Sequence, residues 1–314
     1  KKALEERLED MTPCIACLQG CVANMYAGNP ICCLTNPFLG HEAEPIAKTE
    51  NPKKVMVIGG GVAGLSAAFI AKERGHEVTL YEAGDVLGGN MRLAAYPPGK
   101  GDITNMIRSY IHRCQKDGVK IVMNCEVTPE LIKEEKPDSV IIATGSKTLI
   151  LPIEGIDNPA IIHGSDLLDG KRPAGKKVLV VGGGMVGCET AAFLGEQEHD
   201  VTVIEFRDTV GADVIHEHRV YLMKDFEDYG IKEITGAKVC KFYEDGVEYE
   251  TADGVRHETR GYDSVILSMG FRNYNPLEEK IKDLVPETHV IGDAIRARRA
   301  LDATKEAYEV ASRL

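Results

Sequence analysis

The chain has 314 residues, of which 43% are hydrophobic and 27% are charged. Because a single hydrophobic core stops growing at about 250–300 residues, this length predicts two or more domains. The proportions are those of a globular protein and exclude disordered, collagen-like and low-complexity chains. The formal net charge of −12 repels phosphate backbones and anionic headgroups, so we expect no nucleic acid and no membrane among the partners.

The first residues have the pattern of an amphipathic helix. Leu4, Leu8 and Met11 recur at helical spacing between charged residues. The pattern is already under way at Lys1, which is not a methionine. We therefore expect a helix here and a further part of the protein upstream of this sequence.

Five of the nine cysteines crowd into residues 14–33. Cys14, Cys17 and Cys21 have the spacing C-x2-C-x3-C, which lets one short loop present three thiolates to one centre, and Cys33 or Cys32 can complete a set of four. Four thiolates suit an iron–sulfur cluster or zinc, and reduced buried thiols are a third interpretation. We favour the cluster, because zinc ribbons usually present two CxxC pairs and the second pair is missing here. The scattered cysteines are predicted to be packed thiols.

Residues 53–83 have the pattern of a strand, a glycine turn, an amphipathic helix and a second strand. Gly59, Gly61 and Gly64 form G-x-G-x-x-G, which makes a tight turn, admits a pyrophosphate to the backbone and allows close helix–strand packing. Glu82 ends the second strand, where a carboxylate can accept hydrogen bonds from ribose hydroxyls. The sequence therefore predicts a dinucleotide site.

The whole motif occurs a second time at residues 176–206. Gly182, Gly184 and Gly187 repeat the glycine spacing, and Glu205 stands at the matching strand end. Each motif is followed by a strand that ends in glycine, Gly145 and Gly270, where the chain is expected to pass close to a nucleotide. Two complete motifs predict two bound dinucleotides.

Turn signals mark the rest of the chain. Asp245-Gly246 and Asp253-Gly254, each between alternating runs, predict a β-meander. A strand ending in Gly292-Asp293 and a following helix close the chain.

At this point the chain resembles the two-dinucleotide flavoprotein superfamily, in which an FAD domain is interrupted by an inserted NAD(P) domain. The cysteine run ending in CLTNP, Gly88-Gly89 and the stretch RLAAYPPGK are similar to the C-terminal half of the 2-enoate reductase, 2,4-dienoyl-CoA reductase and trimethylamine dehydrogenase family. The resemblance covers essentially the whole chain. The family's N-terminal barrel, which carries FMN, has no counterpart in this sequence, so enoate reduction is assigned to no residue here.

The resemblance also implies site residues. The cysteine before leucine is the family's fourth 4Fe-4S ligand, which selects Cys33 over Cys32 beside Cys14, Cys17 and Cys21. The FAD residues it implies are Gly59, Gly61, Ala63, Gly64, Glu82, Gly89, Asn90, Arg92, Val127, Gly145, Gly292, Asp293 and Ala303. Those implied for NAD are Gly182, Gly184, Met185, Val186, Glu205 and Gly270. Disulfide reductases carry a redox CxxxxC just after the first glycine motif, and thioredoxin reductases carry a CxxC in the NADPH unit. Neither motif is present at those places in this sequence.

These features predict an α/β fold of two Rossmann-like, three-layer domains with parallel central sheets and a β-meander, the NAD domain being inserted in the FAD domain. We expect a helix and cysteine-rich cluster segment at residues 1–50, the first part of an FAD domain at 51–148, an inserted NAD(P) domain at 149–275 and the FAD return segment at 276–314. The thiolate cluster implies a cytoplasmic location, and the sequence leaves open whether the chain forms a homo-oligomer.

The predicted function is electron transfer from NADH through FAD and the cluster to the FMN barrel of a larger enzyme. No catalytic residue is assigned, because neither hydride nor electron transfer demands a side-chain acid or base. Glu205 favours NADH, since a carboxylate would repel the 2′-phosphate of NADPH, although Arg207 could compensate for that phosphate. A stand-alone NADH oxidase or diaphorase and a non-catalytic nucleotide-binding assembly domain remain the alternatives.

Overall fold

The structure is a computed structural model that describes residues 2–43 and 46–314. The chain divides into two compact units. The first unit consists of Lys1–Ala95, Lys100–Lys147 and Arg272–Leu314, and the second of Tyr96–Gly99 and Thr148–Phe271. The predicted domains 51–148, 149–275 and 276–314 remain predictions, because compactness does not show which segments fold on their own.

The elements are given in chain order. The first are α1 (Val22–Tyr26), β1 (Lys54–Ile58), α2 (Val62–Arg74), β2 (Glu77–Tyr81), α3 (Asn90–Leu93), α4 (Ile103–Lys116), β3 (Lys120–Val122), α5 (Pro129–Glu135), β4 (Ser139–Ile142) and β5 (Ser146–Thr148). There follow β6 (Ile162–His163), α6 (Gly164–Leu168), β7 (Lys177–Val181), α7 (Met185–Glu196), β8 (Asp200–Ile204), α8 (His216–Asp228), β9 (Lys232–Ile234), β10 (Lys238–Tyr243), β11 (Gly246–Glu250), β12 (Arg256–Thr259) and β13 (Ser264–Leu267). The last are β14 (Phe271–Asn273), α9 (Glu278–Ile281), β15 (Glu287–Val290) and α10 (Ala300–Ala311).

The first unit is built on a parallel sheet in the order β15-β4-β1-β2-β3. This is the Rossmann arrangement, with β1 in the middle and a crossover helix between β1 and β2. Strand β1 is buried from Val55 to Ile58, as a strand covered on both faces should be. Helix α2 is rich in alanine and buried from Val62 to Ala71, so helices α4 and α10 can pack closely against it.

The second unit repeats this sheet and adds an antiparallel one. Its parallel sheet has the order β6-β13-β7-β8-β9, and β10, β11 and β12 form a separate antiparallel meander. The strands of the meander are joined at Asp245-Gly246 and around Gly254, where the sequence predicts tight turns. The predicted α/β fold of two Rossmann-like sheets with a meander is confirmed.

The cysteine-rich segment is fixed to the first unit by aromatic and polar contacts. The Tyr110 hydroxyl of α4 donates a 2.9 Å hydrogen bond to the carbonyl of Leu34. The Tyr110 ring stands edge-on to Phe69 of α2, with 5.1 Å between centroids. The Arg113 guanidinium lies 4.2 Å from the centroid of Phe69 and 4.6 Å from that of Phe38. The segment therefore rests on α2 and α4.

The prediction of an amphipathic helix at the N-terminus is wrong. Residues 3–5 and 8–10 form two separate 3-10 turns, and Leu4 and Leu8 are exposed rather than packed. The helix is interrupted because Glu6 adopts a left-handed conformation with φ of 55°, and the Asp10 carboxylate instead bonds His112 and Lys116 of α4. Hydrogen bonds from Lys116, His112 and Arg7 hold the pKa of Asp10 well below its usual range. Lys1, where the expected pattern starts, lies outside the described residues.

No helix in residues 2–43 and 46–314 combines the length and the apolar character that a bilayer crossing requires.

We predict that Tyr110→Phe destabilises the first unit. The substitution keeps the ring but leaves the buried Leu34 carbonyl without its donor, which should lower the free energy of unfolding by about 1–3 kcal/mol. The midpoint of urea unfolding measures this. Tyr221→Phe, at an exposed tyrosine of α8, is the control and should leave the midpoint unchanged. Equal midpoints for the two variants would contradict the prediction.

Candidate functional site

The first glycine turn follows β1 and starts α2. Gly59 has φ of +109°, and a Cβ there would lie 2.3 Å from the Ala143 carbonyl oxygen. A Cβ on Gly64 would lie 1.9 Å from the Gly59 carbonyl oxygen, so no larger residue fits without movement. A Cβ on Gly61, in contrast, would meet no atom within 4 Å. The first and third glycines are required by packing, and the second borders open space at the N-terminus of α2.

Glu82 closes this turn from the end of β2. Its carboxylate accepts hydrogen bonds from the backbone N–H groups of Gly60, at 2.6 Å, and Gly84, at 2.7 Å. A carboxylate has about four lone-pair sites, so two remain for further donors such as ribose hydroxyls.

Several residues predicted to bind FAD meet next to this turn. The N–H of Gly88 donates to the Gly60 carbonyl at 2.8 Å, and a Cβ on Gly89 would lie 3.1 Å from the Cα of Gly61. The Cβ of a residue at Gly292 would lie 3.1 Å from Ala63 and 3.2 Å from Ala303. The glycine turn, the Gly88-Gly89 loop and the start of α10 therefore converge.

A chain of polar side chains extends from this region. The Asn90 amide lies 3.4 Å from the Ser146 hydroxyl, which donates to the Asp293 carboxylate at 2.9 Å. Asp293 also accepts from the backbone N–H of Arg298 at 3.0 Å. Sequence reasoning missed Ser146, whose signal is its position directly after Gly145, where β5 begins. It also missed Glu306, which accepts from the N–H of Gly292 at 2.7 Å.

The remaining predicted FAD residues are less closely associated with the turn. Gly145 has φ of +76° and open space at its Cβ position, and Arg92 lies in α3. The Val127 side chain is buried in a hydrophobic cluster with Tyr81 and Ile132. Only the backbone of Val127 is thus available for a ligand.

The second glycine turn, between β7 and α7, has the same packing as the first. A Cβ on Gly182 would lie 2.4 Å from the Ser268 carbonyl oxygen, and one on Gly187 would lie 1.8 Å from the Gly182 carbonyl oxygen. The space beside Gly184 is different, because the Asp213 carboxylate lies there and accepts from the N–H of Met185 at 2.8 Å.

Glu205 occupies the position in the second unit that Glu82 occupies in the first. Its carboxylate accepts from the N–H of Gly183 at 2.6 Å and from that of Arg207 at 2.9 Å. Gly270 has φ of +100° with open space at its Cβ position. Val186, in the first turn of α7, accepts from the Thr190 hydroxyl through its carbonyl at 2.8 Å.

The four predicted cluster cysteines are neighbours. Burial raises the pKa of the Cys17 thiol, and the charges of Cys33, Cys21 and Cys14 raise it further. Left-handed backbone at Ala16, with φ of 50°, and at Leu18, with φ of 54°, folds the loop that carries the first three. Among residues 2–43 and 46–314, no three His, Cys, Asp or Glu side chains are placed to hold a single metal ion.

Cys32 and Cys33 have different surroundings. The Cys32 thiol lies 3.4 Å from the Asn24 amide, and its backbone N–H donates to Gly20 at 2.9 Å. The Cys33 thiol lies 3.4 Å from the hydroxyl of Thr35. The charge of Cys33 is among the causes that raise the pKa of Cys17.

Of the four scattered cysteines predicted to be packed thiols, Cys114 and Cys188 are buried in the two cores, whereas Cys125 and Cys240 are only partly buried. Burial raises the pKa of the Cys114 and Cys188 thiols to about 12. They are protonated near neutral pH and are therefore unsuited to nucleophilic chemistry.

Comparisons with known proteins agree with this architecture. The sequence pattern of the family described as pyridine nucleotide-disulphide oxidoreductase matches residues 53–291. The chain is 32% identical over 317 residues to the cinnamate reductase of Clostridium sporogenes, covering 100% of this chain and 47% of that protein. It is 34% identical over 320 residues to the NADH oxidase of Thermoanaerobacter brockii, covering 99% of this chain and 49% of that protein.

Among solved structures, a 2-naphthoyl-CoA reductase matches with a TM-score of 0.94 and 33% identity, over 100% of this chain and 48% of that one. The chain thus spans about half the length of the curated relatives it matches. It belongs to the pyridine nucleotide-disulphide oxidoreductase family, and within it corresponds to the C-terminal half of the enoate reductase and trimethylamine dehydrogenase group of NAD(P)H-dependent flavin oxidoreductases.

Proposed function

We propose that this chain is the electron-transfer module of a larger NADH:flavin oxidoreductase, in which a bound FAD takes a hydride from NADH and a bound 4Fe-4S cluster relays electrons to an FMN-binding domain outside this sequence. The observation that carries the proposal is the repeated turn. Each of two parallel sheets presents a three-glycine turn at a helix N-terminus, and each turn is closed by a carboxylate.

FAD is assigned to the first unit because the open space beside Gly61 fits a pyrophosphate. The N-terminus of α2 faces that space, and its free N–H groups and positive dipole end favour an anion. Glu82 has lone pairs left for the adenosine ribose, and Asp293 with Ser146 would orient the ribityl chain. The residues present therefore fit this cofactor.

NADH is assigned to the second unit. Glu205 is fixed by two backbone N–H groups, so its negative charge is held beside the turn, where it would accept from a 2′-hydroxyl and repel a 2′-phosphate. Arg207 is exposed and follows Glu205 by two residues, so the preference for NADH over NADPH is one of degree.

Cys14, Cys17, Cys21 and Cys33 would hold the cluster. Burial of Cys17 beside three other thiols makes it costly to deprotonate alone, and a bound cluster would offset that repulsion. A cluster binds each cysteine through a different iron, so its thiolates need not approach as closely as those around one zinc ion, with Zn–S bonds of about 2.3 Å. Thiolate ligation also suits a reducing, cytoplasmic compartment.

The FMN-binding domain is proposed as the partner of the cysteine-rich segment. Large apolar side chains are exposed on and before this segment, namely Leu4, Leu8, Met11, Met25, Tyr26 and Ile31. Exposed apolar side chains grouped in one segment are typical of a surface that another domain covers. The relatives named as reductases are about twice as long as this chain, which supports a substrate pocket on that other domain.

A second candidate function is an NADH oxidase or diaphorase that passes electrons directly to oxygen or a dye. The similarity to the NADH oxidase of Thermoanaerobacter brockii favours it. The two functions use the same FAD and NADH sites and differ in whether the cluster is required.

The first test is an anaerobic absorbance spectrum with iron and sulfide assays. We expect flavin bands with a broad iron–sulfur shoulder, both of which bleach with NADH and more slowly with NADPH. Flavin without iron that still bleaches would favour the diaphorase. A protein whose flavin does not respond to NADH would leave only the non-catalytic assembly domain.

The cluster assignment predicts different outcomes for two adjacent cysteines. Cys33→Ser should lose most of the iron and sulfide, whereas Cys32→Ser should keep both, because the family resemblance selects Cys33 as the fourth ligand and Cys33 lies near enough to Cys17 to raise the pKa of that thiol. Iron and sulfide per chain measure this. Equal loss in both variants, or retention in both, would contradict the choice of Cys33.

The FAD assignment predicts that Gly61→Ala lowers the affinity for FAD, whereas Gly64→Ala lowers the stability of the protein. Gly61→Ala adds a methyl group to open space, so it should weaken FAD binding at least tenfold and leave the melting temperature of the flavin-free protein unchanged. Gly64→Ala forces a Cβ against the Gly59 carbonyl and should destabilise the flavin-free protein by about 1–3 kcal/mol. Undiminished FAD affinity in Gly61→Ala would exclude this turn as the flavin site.

A further inference from the structure

The Asp213 carboxylate covers the N-terminus of α7. Its Oδ1 atom accepts from the backbone N–H of Met185 at 2.8 Å. A Cβ built on Gly184 would lie 3.4 Å from Oδ2 and 3.6 Å from Oδ1, so both oxygens lie beside this glycine. Gly184 is the N-cap residue of α7 and has no side chain of its own to cap the helix. Asp213 supplies that cap from a loop 28 residues further along the chain.

The loop that carries Asp213 is anchored in the same way as its counterpart in the first unit. The N–H of Gly211 donates to the Gly183 carbonyl at 2.7 Å, and the N–H of Gly88 donates to the Gly60 carbonyl at 2.8 Å. Gly60 and Gly183 are the equivalent middle residues of the two turns. Gly88 and Gly211 are therefore equivalent as well.

This equivalence aligns Asp213 with a neutral residue. Two residues after the anchoring glycine, the first unit has Asn90 and the second has Asp213. Asn90 contacts Ser146 and leaves the space beside Gly61 open, whereas Asp213 fills the space beside Gly184 with a carboxylate. The two dinucleotide turns thus differ at this point by one negative charge.

That charge competes with a dinucleotide. A helix N-terminus stabilises an anion, and the Met185 N–H that donates to Asp213 is one of the N–H groups at the start of α7 that would bind a pyrophosphate. A pyrophosphate and a carboxylate cannot share the Met185 N–H, and their like charges repel at short range.

We propose that the Asp213 carboxylate competes with the pyrophosphate of NADH for the N-terminus of α7. Asp213 caps α7 in the free protein and moves away when the dinucleotide binds. The inference rests on the proposed assignment of NADH to the second unit. Competition by Asp213 would explain why the two dinucleotides differ in exchange. FAD remains bound at a turn without a competing charge, whereas NADH exchanges at a turn that has one. Asp213 thus acts on the affinity for the dinucleotide and takes no part in hydride transfer.

The test is Asp213→Asn in the FAD-loaded protein, with Asp208→Asn as the matched control. Asparagine keeps an oxygen acceptor for Met185 and removes the charge, and Asp208 is an exposed carboxylate of the same loop. Calorimetric titration uses NAD⁺, ADP-ribose and adenosine, which lacks the phosphates. We expect Asp213→Asn to bind NAD⁺ and ADP-ribose about three- to tenfold more tightly and adenosine unchanged, with no change for any ligand in Asp208→Asn.

A stability measurement separates competition from a purely structural role. Without nucleotide, Asp213→Asn should melt at a lower temperature than the wild type because the charged cap is lost, even though its nucleotide affinity rises. Asp213→Ser, which also caps without charge, should behave in the same way and replaces the asparagine variant if that one does not fold.

Three results would overturn the inference while NADH binding stands: unchanged NAD⁺ affinity in Asp213→Asn, an equal gain in Asp208→Asn, or an equal gain for adenosine. If neither the wild type nor any variant binds NAD⁺, the assignment of NADH to the second unit fails, and the inference fails with it.

Discussion

The absence of one Cβ in each glycine turn is the constraint on which both nucleotide sites depend. A Cβ at Gly64 would lie 1.9 Å from the Gly59 carbonyl oxygen, and one at Gly187 would lie 1.8 Å from that of Gly182. Helix and preceding turn are therefore in backbone contact. This contact places the N-terminus of the helix next to the end of the first strand. The unpaired N–H groups of the first helical turn therefore lie together there. A site for an anion is thus a consequence of how closely the helix packs.

The acid at the end of the second strand completes the turn and prepares it for a ribose. Glu82 and Glu205 each accept from the N–H of the middle glycine of the turn, at 2.6 Å in both units. Those N–H groups would otherwise lack a partner, so each carboxylate satisfies the backbone and is itself held in one orientation. The same residue therefore supports the turn and offers its remaining lone pairs to a ligand. The residue two positions after the anchoring loop glycine, Asn90 in the first unit and Asp213 in the second, then differentiates two otherwise similar sites.

The sequence was sufficient for features that depend on local spacing. The glycine turns, the terminal acids and the meander follow from residues close together in the chain, because turn geometry and strand alternation are local properties. Contacts between distant residues were not predictable in this way. Ser146 lies 147 residues from its acceptor Asp293, and Asp213 lies 28 residues from Met185. The prediction of an N-terminal helix was wrong for the same reason, since Asp10 pairs with the distant His112 and Lys116 instead of continuing a helix.

Helix α2 links the proposed cluster to the proposed flavin site. Its N-terminus carries the Gly59–Gly64 turn, and Phe69, two turns further on, packs against Tyr110. Tyr110 in turn holds the carbonyl of Leu34, the residue that follows Cys33. Burial, followed by the nearby charge of Cys33, raises the pKa of Tyr110, so this hydroxyl stays protonated and remains a donor. The cysteine loop and the flavin turn are consequently supported by one buried helix of the first unit, and a packing change along α2 would act on both sites.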